Sequence, residues 1–301
     1  LIKVEEVLNV EMPDSVLILG DTNSSIAAII AKRQQIPVYH MEAGNRSFDN
    51  QVPEELNRKI IDHIADFNLV YTENSRQHLI SEGLSQRKIY LTGSPMFEVL
   101  EYYKPKIKKS KILRILGLEQ GKYFCVSLHR EENIEIPLTL KNILQSLKDL
   151  AAKYNLPIII STHPRTRKKI NSLKDFNANK LLKFHKPFGF FDYIKLQQYS
   201  LCTISDSGTI SEESSILNFP AITIRNSLER PEALDSGSII LSGTDPATII
   251  ASVDLVINET KENIGGDAPK DYLIENTSSR VLRIILGTSK LANNWQGIKK
   301  I

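Results

Sequence analysis

Short apolar runs followed by polar, helix-starting residues recur along the whole chain. Val16–Gly20 (VLILG) reads as a buried parallel strand that ends on a glycine. Asp21-Thr22-Asn23-Ser24 then supplies helix-capping side chains, and Ile26–Gln34 continues as a helix. Ile36–Met41 is the next strand. Pro53–Asp66 is the next helix, with proline suited to its first turn and Leu56, Ile60 and Ile64 forming an apolar stripe. Strand Phe67–Tyr71, helix Glu73–Glu82, strand Ile89–Leu91 and a helix after Pro95 extend the alternation. It restarts at Tyr123–Leu128 and proceeds through helix Leu138–Tyr154 and strand Pro157–Ser161. A helix after His163, strand Leu181–Phe184, helix Phe191–Tyr199, strand Leu201–Ser205 and helix Thr209–Leu217 follow. Strands Ala221–Ile224 and Ser238–Leu241, helix Pro246–Ile257, a loop over Gly265–Pro269 and an amphipathic helix Ser278–Leu286 complete the pattern. Strand–helix alternation of this kind specifies parallel sheets with helices on both faces.

Between the two blocks lies Glu101–Lys111 (EYYKPKIKKSK), rich in lysine and poor in apolar residues, which reads as a solvated linker. The expectation is therefore two doubly wound α/β domains, 1–105 and 115–275, with ligands in a cleft between them and a final helix at 276–290. The length of 301 residues fits two domains. A net charge of +3, from 38 basic and 35 acidic residues, gives no reason to expect nucleic-acid binding. Cys125 and Cys202 lie far apart in apolar stretches and read as buried small hydrophobes, not as a disulfide framework or a metal site. No apolar run reaches the length of a membrane span and no signal peptide opens the chain, so a cytoplasmic setting is the default. The first segment, from Leu1, reads as the tail of a helix already under way.

Function in open α/β sheets collects after the carboxyl ends of strands, and four such loops are unusually polar. Asp21 follows the first strand, where it serves either as a helix cap or as a cleft carboxylate. Glu42 lies at a strand end within His40-Met41-Glu42-Ala43-Gly44, and Glu54 lies in a first helical turn. Three carboxylates on successive elements can split acid and base roles between them. His129 directly follows the first strand of the second block, beside Arg130, and His163 repeats that placement after the next strand. Ser205–Glu213 runs strand, small-residue turn, helix N-terminus. Its backbone N–H groups can cradle a phosphate, with Gly208 permitting close approach and Glu213 able to accept the hydroxyls of a ribose. Arg230 suits a diphosphate. The chain contains neither a Walker A sequence nor GxGxxG, and no clustered His/Cys spacing suggests a metal.

Taken in order, these motifs resemble the non-hydrolysing UDP-N-acetylglucosamine 2-epimerases. Carrying the resemblance are Gly20-Asp21-Thr22, His40–Gly44, Pro53-Glu54-Glu55 with Asn57-Arg58, and Thr92-Gly93-Ser94. His129–Asn133, His163-Pro164, Asp206-Ser207-Gly208, Glu212-Glu213 and Glu229–Ala233 continue it. The resemblance implies two Rossmann-like domains of the glycosyltransferase-B type, with UDP held mainly by the second and the final helix packed back on the first. Asp21, Glu42, Glu54 and His129 match the family's catalytic positions. Ser207, Gly208, Thr209, Glu213, Arg230 and His163 match its UDP site, with Thr209 standing where a second glycine is usual. The implied substrate is a UDP-sugar, in the synthesis of surface-polysaccharide precursors. The implied assembly is a homodimer, and no redox cofactor or metal is required. Asn45-Arg46-Ser47-Phe48-Asp49, with Thr92–Glu98, looks like the subgroup that forms UDP-N-acetyl-L-fucosamine. The family's opening Gly-Thr-Arg-Pro-Glu loop has no match. The expectation is a two-domain enzyme lacking about two βα units, on the order of 60–70 residues, before Val16. The alternatives are a hydrolysing 2-epimerase, a glycosyltransferase of the same fold, and a nucleotide-sugar-binding protein without activity.

Overall fold

The computed structural model describes residues 1–49, 53–173 and 179–296. The chain begins α1 (Ile2–Glu11), β1 (Val16–Leu19), α2 (Ala28–Arg33), β2 (Val38–Ala43), α3 (Pro53–Ile64), β3 (Phe67–Val70), α4 (Glu73–Ser81), β4 (Ile89–Leu91). It continues α5 (Met96–Lys109), α6 (Ile112–Leu116), β5 (Phe124–Leu128), α7 (Glu131–Ile134), α8 (Pro137–Tyr154), β6 (Ile158–Thr162), α9 (Pro164–Ser172), β7 (Leu182–His185). Then come α10 (Phe190–Tyr199), β8 (Cys202–Ser205), α11 (Ile210–Leu217), β9 (Ala221–Thr223), α12 (Glu232–Asp235), β10 (Ile240–Leu241), α13 (Pro246–Glu262) and α14 (Thr277–Gln296). Two compact units result: residues 1–98 with 270–301, and residues 99–269.

The first unit holds a four-stranded parallel sheet in the order β1-β2-β3-β4. β2 and β3 are covered on both faces, as parallel strands require. β1 is the edge strand and differs from the fully buried strand its apolar run suggests: Leu17 and Leu19 are 46% and 60% exposed. α3 also differs from its sequence pattern. Leu56 of the expected apolar stripe is 64% exposed, whereas Glu55, Arg58, Ile61 and Asp62 are buried. The helix turns a charged face inward because that face has partners in the neighbouring loops. α14 lays Val281 and Ala292 against Tyr39, Phe67 and Leu69 of the sheet. Tyr39 Oη and Thr288 Oγ1 lie 2.7 Å apart.

The second unit holds a six-stranded parallel sheet in the order β10-β9-β8-β5-β6-β7. Its core packs α8 and α13 against the strands, with Leu144, Leu147, Ile160, Ile204 and Val253 fully enclosed. Strand order reverses at the β5/β8 pair, and the crevice beyond the carboxyl ends of such a pair is where doubly wound sheets bind ligands. The expected linker at Glu101–Lys111 is instead mostly helix. α5 carries on to Lys109 with Pro105 inside it, because Leu100 and Ile107, two turns apart, are buried on one face while the lysines line the other. Cys125 and Cys202 are buried and unbridged. Among the described residues no helix is long and apolar enough to cross a membrane.

Candidate active site

In the first unit the polar residues gather after β1 and β2. Asp21 does not cap a helix: its carboxylate takes the Arg58 Nε hydrogen bond at 2.5 Å, and its carbonyl accepts from Asn57 Nδ2 at 2.9 Å. Arg58 also donates to Glu55 Oε2 at 3.3 Å. Glu42 sits where the pairing of β2 with β3 slips by one residue, and its φ is +68°. A left-handed conformation costs a non-glycine residue about 1–2 kcal/mol, so something nearby must enforce it. Its carboxylate accepts from Asn45 Nδ2 at 3.2 Å and comes so close to Gly20 that a Cβ there would meet Oε2 at 3.2 Å. Asp21 and Glu42 thus flank the Gly20 turn. Glu54 is exposed in the first turn of α3, and its neighbour Glu55 is the buried member of the pair, accepting from the N–H and hydroxyl of Ser47.

Beneath these groups runs a buried chain of charges. His40 Nδ1 lies 2.7 Å from Asp62, Asp62 accepts from Arg46 at 2.8 Å, and Arg46 makes two 2.7 Å bonds to Glu82. Burial opposes the charge on Arg46, but Glu82 and Asp62 outweigh that and hold its pKa above the ordinary value. The Arg46 hydrogen bond, ahead of the opposing burial, keeps the Glu82 carboxyl below its usual range.

In the second unit the site lies at the β5/β8 switch point. Asp206, fully buried after β8, accepts the backbone N–H of His129 and of Arg130, and its carboxylate lies 3.0 Å from His129 Nδ1. Burial alone would raise the Asp206 pKa, but the His129 bond and the two backbone donors bring it below the ordinary value. The His129 side chain is itself half-exposed.

Ser207 Oγ and Thr209 Oγ1 lie 3.0 Å apart, and Thr209 Oγ1 donates to Glu213 at 2.8 Å. Gln197 donates to the other Glu213 oxygen at 2.8 Å. Burial pushes the Glu213 carboxyl up against the opposing pull of those two donors. Gly208 carries no Cβ where one would come within 3.4 Å of Arg130 Nη2 and 3.9 Å of Arg225 Nη1. Arg230 donates to the Gly208 carbonyl at 3.1 Å and pairs with Glu212, and Arg225 makes a two-pronged pair with Glu229. Three guanidinium groups therefore surround the side-chain-free Gly208 in the turn at the start of α11, an arrangement suited to a diphosphate. His163 stands apart from this cluster's hydrogen bonds. It is exposed and caps α9, with Nδ1 accepting from the Arg165 N–H at 3.4 Å.

The family profile described as UDP-N-acetylglucosamine 2-epimerase matches residues 1–286. The chain belongs to this family. A UDP-N-acetylglucosamine 2-epimerase of Methanococcus maripaludis is 35% identical over 299 residues, 96% of this chain and 80% of that protein. The solved 2-epimerase of Rickettsia bellii is 47% identical and superposes with a TM-score of 0.92 over 99% of this chain and 80% of its own. That of Methanocaldococcus jannaschii, solved with UDP-GlcNAc and UDP, is 33% identical with a TM-score of 0.87 over 95% and 79%. The fold is the glycosyltransferase-B-like α/β fold of these epimerases, which are isomerases.

The sequence pattern alone does not mark Asp206, Arg58, Arg46, Asp62, His40 and Glu212 as site residues. Asp206, Arg58, Arg46, His40 and Glu212 stand inside the motifs quoted above, so motif membership is the available signal. Asp62 carries none, since its partners come from other elements.

Proposed function

We propose that this epimerase family member interconverts UDP-N-acetylglucosamine and UDP-N-acetylmannosamine by inverting C2. The observation that carries the reading is the turn from Asp206 to Thr209, where Arg130, Arg225 and Arg230 surround the Gly208 backbone beside the buried Glu213. A nucleoside diphosphate matches that turn, with phosphates on the Ser207-Gly208-Thr209 backbone and the arginines, and ribose hydroxyls on Glu213. His163, at the carboxyl end of the adjacent strand β6, is assigned to the same nucleotide on the motif resemblance alone.

A C2 proton on a ring without an adjacent carbonyl is not acidic. The reaction therefore proceeds by anti elimination. A base takes the C2 proton, the C2–H electron pair becomes the C1=C2 double bond, and the C1–O pair leaves with UDP, giving 2-acetamidoglucal. UDP then adds back at C1 while an acid delivers a proton to the other face of C2. Asp21, Glu42 and Glu54 are the candidate acid and base groups. His129, oriented by Asp206, serves the departing diphosphate. The protein acts as a homodimer in the cytoplasm.

Incubation with UDP-N-acetylglucosamine in heavy water should give both epimers with deuterium at C2. Absence of deuterium at C2 overturns the reading, and stoichiometric release of UDP with free N-acetylmannosamine assigns hydrolysis instead. The segment Asn45–Asp49 supports a second reading, C2 epimerisation of a 6-deoxy-L-talose-configured UDP-sugar to UDP-N-acetyl-L-fucosamine. Competition between the two substrates under the same assay decides between them.

A further inference from the structure

Seven non-glycine residues among those described have positive φ, and Glu42 is the one that lies inside a strand. Four of the others, Met12, Asn155, Asn218 and Asn263, close helices, where that conformation is ordinary. A left-handed residue inside β2 persists only if its flanks are pinned. One side chain pins both. Asp62, fully buried on α3, has Oδ1 2.7 Å from His40 Nδ1, while its Oδ2 accepts from Gly44 N at 3.2 Å and from Arg46 Nη1 at 2.8 Å. His40 Nε2 in turn lies 3.1 Å from the carbonyl of Gly20. With a carboxylate on one side and a carbonyl on the other, both ring bonds form only when both nitrogens carry hydrogen. Arg46 is anchored beyond Asp62 by Glu82, and Gly44 O lies 3.0 Å from His78 Nδ1.

We propose that Asp62 is a positioning residue that holds the segment from His40 to Arg46 so that Glu42 keeps its bulged backbone, and thereby its carboxylate, in the place that proton transfer at C2 requires. The inference rests on the epimerase reading. Its physical basis is the two-residue period of a strand. If Glu42 relaxes to extended backbone, β2 regains regular pairing with β3 and the side chain turns to the opposite face. A buried acid–base chain is a weak source of stability compared with a well-packed apolar core, but it enforces one register and one conformation. Here it encloses the one non-glycine strand residue with positive φ among those described.

The test uses Asp62→Asn, Asp62→Ala and Arg46→Lys in the full chain. Asp62→Ala should lower kcat for C2 deuterium exchange by about 30-fold or more, with KM for UDP-N-acetylglucosamine within about threefold. UDP affinity by calorimetry should be unchanged. Asp62→Asn, which keeps one acceptor, should fall between wild type and Asp62→Ala. Amide exchange in a peptide spanning residues 41–47 should quicken in step. A kcat within about twofold of wild type in Asp62→Ala overturns the proposal, as does equal loss of UDP affinity and kcat. If Asp62→Ala does not fold, Asp62→Asn and Arg46→Lys decide by the same kcat-against-KM split. If the wild-type protein shows no C2 exchange, the epimerase reading fails separately. The clamp is then judged on amide exchange alone, and unchanged protection of residues 41–47 in Asp62→Asn overturns it.

Discussion

Asp206 holds His129 at two points: its carboxylate lies 3.0 Å from the ring Nδ1 and accepts the backbone N–H of the same residue at 3.0 Å. The backbone contact fixes where the residue starts and the ring contact fixes where it points. With Nδ1 facing the carboxylate, Nε2 is the ring nitrogen that Asp206 does not hold. An aspartate buried between two strand ends is thus part of the imidazole's orientation and of the β5/β8 junction at once.

Removing Asp206 should therefore show in both activity and stability. Asp206→Asn keeps an acceptor for one of the backbone donors but leaves others unmatched, and a buried unmatched donor costs about 1–3 kcal/mol. Because the folded pKa of Asp206 lies below its ordinary value, its contribution to stability is present above about pH 3.9 and is lost as pH falls through the folded value. Urea melts should show Asp206→Asn weaker than wild type at neutral pH, with the gap closing below about pH 4. Turnover should fall about 10- to 100-fold, the share of acid–base catalysis that depends on ring placement. Equal turnover in wild type and variant would remove His129 orientation from the mechanism.

Glu213 carries the opposite sign. Burial raises its folded pKa above the ordinary value of about 4.3, so the stability linked to its proton is complete below that pH and is lost as pH rises through the folded value. Above about pH 4.3 the raised folded pKa therefore weighs against the unliganded fold. Glu213→Gln should raise the melting temperature at pH 7.5 and converge with wild type toward about pH 4.3. The amide of Gln197 can turn to meet the new side chain, since its Oε1 is buried without a hydrogen bond. UDP should bind the same variant more weakly if Glu213 accepts the ribose hydroxyls. Stability gained with UDP affinity unchanged would separate Glu213 from the nucleotide.

What was legible in the sequence follows from range. Short apolar runs, Phe124-Cys125-Val126 of β5 and Ile158-Ile159-Ile160 of β6 most plainly, mark strands because parallel strands are buried on both faces, and polar residues beyond them mark the ligand side. Partnerships across the fold leave no such trace. His129 and Asp206 are 77 positions apart, Arg46 and Glu82 are 36 apart, and no local period links them. Glu54 and Glu55 stand side by side in one motif, and only the rotation of α3 decides which is buried. The lysines of α5 read as a linker because composition outweighed the pair Leu100 and Ile107 that holds the helix down.

Arg58 links two of these acids. It is 6% exposed, donates to Asp21 at 2.5 Å and reaches Glu55, itself buried, at 3.3 Å. Arg58→Met leaves both carboxylates without that cation, a loss of about 3–5 kcal/mol for a buried pair, and sets Asp21 adrift from the Gly20 turn. Arg58→Lys restores the charge but not the fork that spans two carboxylates, so it should recover part of the stability and less of the turnover. Parallel denaturation and kcat measurements on the two variants check this. Full recovery of turnover by lysine would show that charge alone, without Asp21 placement, is what Arg58 supplies.

Gly93 accounts for its motif in a purely steric way. Its φ is +84°, and a Cβ built on it would lie 2.6 Å from Ile274 Cβ. The neighbouring carbonyls of Thr92 and Ser94 each lie 3.1 Å from Thr277 Oγ1, at the start of α14. The Thr92-Gly93-Ser94 turn is therefore a seat for the segment that leads into the last helix. Gly93→Ala adds left-handed strain of about 1–2 kcal/mol to an overlap with Ile274 worth about 1–3 kcal/mol, so the variant should lose about 2–5 kcal/mol in a urea melt. Pairing it with Ile274→Ala opens the space but leaves the φ penalty. The double variant should then lose less than the sum of the two single losses, and strict additivity would show that Ile274 does not contact the turn.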